Sequence, residues 1–240
     1  MNTNEIPRIV TPLAIAAAIA ISFHAGQGPR PVELRPGQAS PPPAAQLKPV
    51  LAAALAPGAP GYDRGGDRAP VTVLEFADFG CPYCARFAAE TYPRLAREFV
   101  ATGMVRWKYV PFVMGMFPNG TEAARAAECA ADQGSRAFAR MHDRLFDAQA
   151  DWKRAAEPTA VFRAMASAAG LDARRFAACW ASDAPDRRIR ASDALADRLG
   201  VTETPTFFVN GQRVEGALPV EEFRTVILDA LRRSREADAR

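Results

Sequence analysis

The chain has 240 residues, 30 basic against 27 acidic side chains for a formal net charge of +3, and a hydrophobic content of 49%. That share is ordinary for a globular protein, and the length allows one domain of usual size with extensions. The near balance of charge, without a basic stripe interleaved with aromatic residues, argues against a nucleic-acid partner.

The first pattern along the chain is the uncharged apolar run Ile9–Phe23, preceded by Arg8. As a helix it would span roughly 22 Å at 1.5 Å per residue, short of a hydrocarbon core of about 30 Å. The length suits the hydrophobic stretch of an export signal. Ala25 can precede a cut, but Phe23 is bulky where a small residue is wanted. Residues 1–25 are therefore expected to be a signal peptide or a signal anchor. Nine of the 20 prolines fall between Pro29 and Pro60. Proline fixes φ and removes a donor, so residues 26–61 read as a Pro-rich disordered tether. Within it Leu51–Ala56 has the composition of a short helix.

The run Val71-Thr72-Val73-Leu74-Glu75-Phe76 reads as a buried strand. A helix follows over Ala85–Ala101, with Phe87, Leu95 and Phe99 on one face, Pro93 expected to kink it, and Gly103 ending it. Val105–Val113 is the next strand, which makes a βαβ unit with a parallel pair. From Pro118 to Gly200 the chain is alanine-rich, and helices are expected over 121–133, 135–149, 158–169, 171–182 and 185–199. Strands return at Thr206–Val209 and Gln212–Glu215, joined by Asn210-Gly211, a tight-hairpin signal. A last amphipathic helix runs from about Val220 to Arg233, followed by a charged, frayed tail.

The four cysteines divide into a tight unit, Cys81-Pro82-Tyr83-Cys84, and two that stand alone, Cys129 and Cys179. Placed between a buried strand and the start of a helix, the first cysteine of Cys-x-x-Cys meets unpaired N–H groups and the helix dipole, which favour its thiolate. The second lies one turn in, close enough to resolve a mixed disulfide. Pro82 suits a first helical turn. Half of a zinc site is the competing reading, but there is no second Cys-x-x-Cys and the histidines are His24 and His142, so no metal is expected. A cysteine–histidine hydrolase would need His142 beside a cysteine; it is expected instead to pack or face solvent within its helix. Thr204-Pro205 stands just before a strand, a place compatible with a cis bond.

Taken together, Val73-Leu74-Glu75-Phe76-Ala77-Asp78-Phe79-Gly80-Cys81-Pro82-Tyr83-Cys84 resembles the active-site segment of the DsbA-like branch of the thioredoxin superfamily. Ala127-Glu128-Cys129-Ala130 and Met141-His142-Asp143-Arg144-Leu145-Phe146 also resemble insert segments of that branch. The resemblance covers about residues 62–236. It implies an α/β, thioredoxin-like fold with an inserted all-helical domain: a core over 62–117 and 201–236, the helical insertion over 118–200, and a tail at 237–240.

By resemblance, Cys81 is the nucleophile, Cys84 the resolving cysteine, Pro205 the cis proline, and Glu75 a buried acid that exchanges protons with Cys84. Pro82, Tyr83 and Thr204 would shape the substrate groove. Lys108, on the neighbouring strand, is expected to pair with Glu75. Cys129 and Cys179 are expected to form a structural disulfide like that of some members, two separate buried thiols being the alternative.

The implied activity is that of an exported dithiol oxidase in the periplasm or at the extracytoplasmic face of the inner membrane. It would act as a monomer with no cofactor beyond its redox-active disulfide. Its partners would be unfolded or reduced exported proteins and a quinone-linked membrane reoxidase of the DsbB or vitamin K epoxide reductase (VKOR) type. A reductase or isomerase fed by an electron donor, and a tethered chaperone-like peptide-binding module, remain the alternatives. One departure bears on direction: strongly oxidising members often carry Pro-His between the cysteines, whereas Pro82-Tyr83 brings no charge. Pro-Tyr also occurs in glutaredoxins, with potentials of about −200 to −230 mV against about −120 mV for DsbA.

Overall fold

The computed structural model describes residues 44–239. The expected signal or anchor at 1–25, and the tether as far as residue 43, lie outside the described residues.

Among the described residues five strands form one sheet in the order β1-β3-β2-β4-β5. They are β1 (Tyr62–Arg64), β2 (Val71–Ala77), β3 (Val105–Pro111), β4 (Thr206–Val209) and β5 (Gln212–Glu215). The apolar β2 and β3 pair in parallel at the centre, as a βαβ connection requires. β1, β4 and β5 join antiparallel. Asn210 and Gly211 both take positive φ, 45° and 88°, in the tight turn between β4 and β5.

The sheet is covered on both faces. Val71, Val73, Trp107 and Phe207 pack against Phe87 and Phe99 of the connecting helix and against Phe223 and Ile227 of the C-terminal helix. The connecting helix is not regular. It runs as α2 (Pro82–Arg86), a π turn (Phe87–Thr91), α3 (Tyr92–Leu95) and a second π turn (Ala96–Val100). The N–H of Tyr92 reaches back to the carbonyl of Phe87, so the wider turn sits just before Pro93, which has no N–H to give.

On the opposite face Leu74, Phe76 and Phe208 pack against Leu195 and Leu199 and against an N-terminal helix, α1 (Ala44–Ala54). This helix corrects the expectation of a disordered tether over all of 26–61. Leu47, Val50, Leu51 and Ala54 recur at helical spacing and bury an apolar stripe on the sheet. The stripe outweighs the missing donor of Pro49. β1 then adds an edge strand directly after residue 61.

Between β3 and β4 come six helices: α4 (Gly120–Ala131), α5 (Ser135–Asp147), α6 (Gln149–Lys153), α7 (Pro158–Ala168), α8 (Ala173–Trp180) and α9 (Ala184–Arg198). Their core holds Phe138, Met141, Trp152, Phe162 and Phe176, and it is continuous with Phe79, Cys81, Cys84 and Tyr109 at the end of the sheet. The stretch expected to be one helix over 135–149 breaks at Ala148, and α6 starts anew. The last helix, α10 (Val220–Asp238), runs past the expected tail boundary at 237. Residues 234–238 contain no glycine or proline to stop it.

The expected Lys108–Glu75 pair does not form. Lys108 is in register with Leu74, and Glu75 with Tyr109, so the two side chains point to opposite faces of the sheet. Buried Lys108 instead reaches Asp63 of β1 at 3.3 Å.

Candidate active site

β2 ends at Ala77, and the chain turns through Asp78-Phe79-Gly80 into α2. Asp78 builds this turn. Its Oδ1 accepts the N–H of Gly80 and its Oδ2 the N–H of Met114, each at 2.7 Å, which ties the loop before α2 to the loop after β3. Gly80 is needed because Phe117 lies on it: a Cβ there would sit 2.4 Å from the Cβ of Phe117. Cys81 takes the N-cap position of α2, with an extended backbone, and Pro82 opens the helix.

Cys81 and Cys84 are both buried and stand as free thiols, but their surroundings differ. The Cys81 thiol is lowered well below its ordinary value, to about 6. The largest cause is a hydrogen bond from Cys84. Thr204 and the N–H groups of Tyr83 and Cys84 add to it, all against the opposing effect of burial. The Cys84 thiol is raised well above its ordinary value, first by burial and then by the hydrogen bond and negative charge of Cys81. Across from the pair, the Thr204–Pro205 peptide is cis, and Cys81 Sγ lies 3.4 Å from the carbonyl oxygen of Thr204. Tyr83 is 57% exposed, with the Arg86 guanidinium 5.2 Å from its ring centre. Pro82 is exposed beside it, so both can meet a substrate.

Glu75 is buried within the sheet, two residues before the end of β2. Burial raises its carboxyl from 4.5 to about 7, opposed by a hydrogen bond from Trp107 and by the charge of Arg64. Trp107 Nε1 donates to Glu75 Oε2 at 2.7 Å. A narrow cavity beside Glu75 is lined by Arg64, Tyr92, Tyr109 and His142. Tyr109 lies between this region and the cysteines: burial first, and then the charges of Glu75 and Cys84, oppose its ionisation. His142 sits edge-on to Phe79, Tyr109 and Phe146 and binds Asp143 at 2.9 Å.

Cys129 on α4 and Cys179 on α8 are joined by a disulfide, with Cα atoms 5.5 Å apart. They are thus committed to each other and do not converge on Cys81 and Cys84 as a four-cysteine site would require. Among the described residues no group of three or more His, Cys, Asp or Glu side chains is placed to hold a metal ion.

Several side chains shape the site without a role read from the sequence: Asp78, which lies within the active-site segment, and Trp107, Arg64, Gln149 and Lys153, which carried no motif. The last two come from the helical insertion. Gln149 Nε2 donates to the carbonyls of Phe79 and Cys81 at 2.6 and 2.9 Å, and Lys153 Nζ to that of Gly80 at 2.8 Å.

The thioredoxin family pattern matches residues 60–229, a stretch that contains the whole sheet, both cysteine pairs and the Thr204–Pro205 peptide. The chain belongs to the thioredoxin family. Among solved structures it is similar to α-DsbA1 of Wolbachia pipientis, with a TM-score of 0.67 at 20% identity over 76% of this chain and 95% of the other. The fold is therefore the thioredoxin fold with helices inserted between β3 and β4. A curated relative, disulfide bond formation protein D of Bacillus subtilis, is 26% identical over 68% of this chain and 73% of its own length. Another, named Na(+)/H(+) antiporter NhaA 3 of Salinispora tropica, is 37% identical over 172 residues. That match takes in 72% of this chain and 25% of the relative, so the chain spans about a quarter of the length of the antiporter-named proteins.

Proposed function

We propose that this protein is an extracytoplasmic thiol–disulfide oxidoreductase working chiefly as a dithiol oxidase, with Cys81 as nucleophile and Cys84 as resolving cysteine. The observation that carries this reading is the unequal pair: Cys81 pulled towards the thiolate and Cys84 held as the thiol. A low-energy Cys81 thiolate favours the reduced pair, and so makes the disulfide a better acceptor of electrons.

In the forward direction a substrate thiolate attacks Sγ of Cys81. The Cys81–Cys84 bond breaks as the mixed disulfide forms, and Cys84 leaves as a thiolate that takes a proton. A second substrate thiolate attacks its own sulfur in the mixed disulfide and releases Cys81. The substrate loses two electrons and gains a disulfide, and the protein is left as Cys81 thiolate and Cys84 thiol. Glu75, with a carboxyl held near 7, supplies the proton to Cys84 and recovers it on reoxidation, with Tyr109 beside the route. Thr204 and Pro205 hold the substrate chain against Cys81, and Pro82 and Tyr83 form the apolar lip of the groove. No cofactor is needed beyond the cysteine pair.

The substrates are unfolded or reduced exported proteins. The two electrons then pass to a quinone-linked membrane oxidase of the DsbB or VKOR type. The periplasmic or outer-face location rests on the apolar run at Ile9–Phe23 and on the Cys129–Cys179 disulfide, a bond suited to an oxidising compartment. Sodium–proton exchange is not carried over from the antiporter-named relatives, of which this chain matches only a quarter.

A second reading, reductase or isomerase, is favoured by one observation, the absence of a charged side chain between the cysteines. The test is the equilibrium of the full chain with glutathione, together with oxidation of a reduced dithiol peptide by stoichiometric oxidised protein. A potential clearly above that of thioredoxin, at or above the range of about −200 to −230 mV, and one disulfide formed per protein are expected. A potential near about −270 mV, that of thioredoxin, would transfer the protein to the reductase class. No transfer to the peptide at all would leave only a binding module.

A further inference from the structure

The loop that carries Cys81 is held by the helical insertion. Three successive carbonyls, of Phe79, Gly80 and Cys81, each accept a hydrogen bond from α6: two from Gln149 Nε2 and one from Lys153 Nζ. These are the carbonyls of the turn leading into α2, outside the sheet and outside the helix ladder apart from the bond from Ala85 N–H to the Cys81 carbonyl. The Lys153 ammonium also lies 4.8 Å from the ring centre of Phe117, the ring packed on Gly80. Lys153 thus closes one side of the Cys81 loop through both a carbonyl and a ring. The other charged and titratable groups near the loop include Asp78, engaged by the Gly80 and Met114 N–H groups and within reach of the Lys153 charge, the Cys84 thiol, the Tyr109 phenol, which donates to the Ala77 carbonyl, and Arg86, which lies over Tyr83.

We propose that Gln149 and Lys153 are positioning residues for the thiol–disulfide reaction, Gln149 fixing the Cys81 loop and Lys153 supplying beside it the positive charge that Pro82-Tyr83 lacks. A charge-assisted donor on the Gly80 carbonyl places a cation one peptide from Cys81 and stabilises a thiolate there more than a thiol. It also makes the acidity of Cys81 depend on where the insertion sits, because α6 is joined to the sheet only through other helices and loops. This inference rests on the redox reading of Cys81 and Cys84, and goes beyond it by naming a source of activation outside the Cys-x-x-Cys unit.

The test is the pH midpoint of Cys81 alkylation in the reduced full chain, measured for the parent and for Lys153→Met, Lys153→Gln, Lys153→Arg and Gln149→Leu. The glutathione equilibrium constant is read for the same set, and a thermal melt confirms that each variant folds. Loss of the charge in Lys153→Met and Lys153→Gln is expected to raise the midpoint by about half a unit or more, equivalent to about threefold in thiolate affinity. The equilibrium should become less oxidising by a similar factor. Lys153→Gln keeps a donor for the Gly80 carbonyl, so it separates charge from hydrogen bond and decides the matter if Lys153→Met does not fold. Lys153→Arg should stay near the parent, and Gln149→Leu should raise the midpoint in the same sense. A parent midpoint near 6 with both uncharged variants within about 0.2 unit of it would overturn this inference alone. A parent midpoint near about 8.5, the ordinary cysteine value, would instead overturn the redox reading on which it rests.

Discussion

Trp107 Nε1 donates a hydrogen bond of 2.7 Å to Glu75 Oε2 in the interior of the sheet. The two residues lie on neighbouring parallel strands, two positions apart in register, on the same face. A carboxyl in that place has one strong donor and little water, which is why burial lifts it from 4.5 to about 7.

The pH dependence of stability follows. The folded carboxyl holds its proton up to about pH 7, whereas the unfolded one releases it near 4.5. Between these values the native state binds more protons than the unfolded state, so the contribution of Glu75 to stability falls as pH rises. Glu75→Gln keeps an acceptor for Trp107 and cannot ionise. It should match the parent in stability at pH 4 and exceed it at pH 8 by up to about 3 kcal/mol, read from denaturant unfolding of both proteins in the reduced state. Equal stability at both pH values would show that Glu75 ionises normally.

Gly80→Ala should disturb the site sterically rather than electronically. The new methyl would meet the Cβ of Phe117 at 2.4 Å, and a Cβ cannot swing aside as a side-chain end can. Overpacking of this kind costs about 1–3 kcal/mol. Displacing Phe117 also loosens Lys153, so the variant should both melt earlier and oxidise a peptide more slowly. A companion Phe117→Gly change, which removes the opposing Cβ as well as the ring, should restore part of the stability.

Replacing Cys129 and Cys179 together with alanine removes the link between α4 and α8. The loop closed by 50 residues is worth about 4 kcal/mol in the chain-entropy model. That loss should appear in unfolding experiments, while the glutathione equilibrium of Cys81 and Cys84 stays where it was. A changed equilibrium would mean that this disulfide helps to hold the insertion against the Cys81 loop.

The parts of this protein that were legible in its sequence are those written as local pattern. The β2 run, the Cys-x-x-Cys at its end, the Asn210-Gly211 turn and the apolar stripe of α10 each announce themselves over a few residues. The face to which Glu75 points depended on register. Parallel pairing sets Leu74 against Lys108, and no local signal shows that offset, so Lys108 was expected beside the wrong partner. The helix at Ala44–Ala54 is legible only in part, as the short helical composition of Leu51–Ala56, because the dense prolines around it hide the spacing of Leu47, Val50, Leu51 and Ala54. The hardest to see were Gln149 and Lys153. They lie about 70 residues from the cysteines, on a single turn after a break at Ala148 that no glycine or proline marks. Their role is visible only once α6 is placed against the carbonyls of residues 79–81.

The central claim is that Cys81 is the activated member of an unequal pair, and peptide-resolved alkylation of the reduced full chain between pH 4 and pH 9 tests it most directly. Modification of Cys81 should rise with a midpoint near pH 6, with Cys84 left unlabelled until the protein unfolds, because its thiol is held protonated. A Cys81 midpoint near about 8.5, or Cys84 reacting alongside it, would contradict the claim.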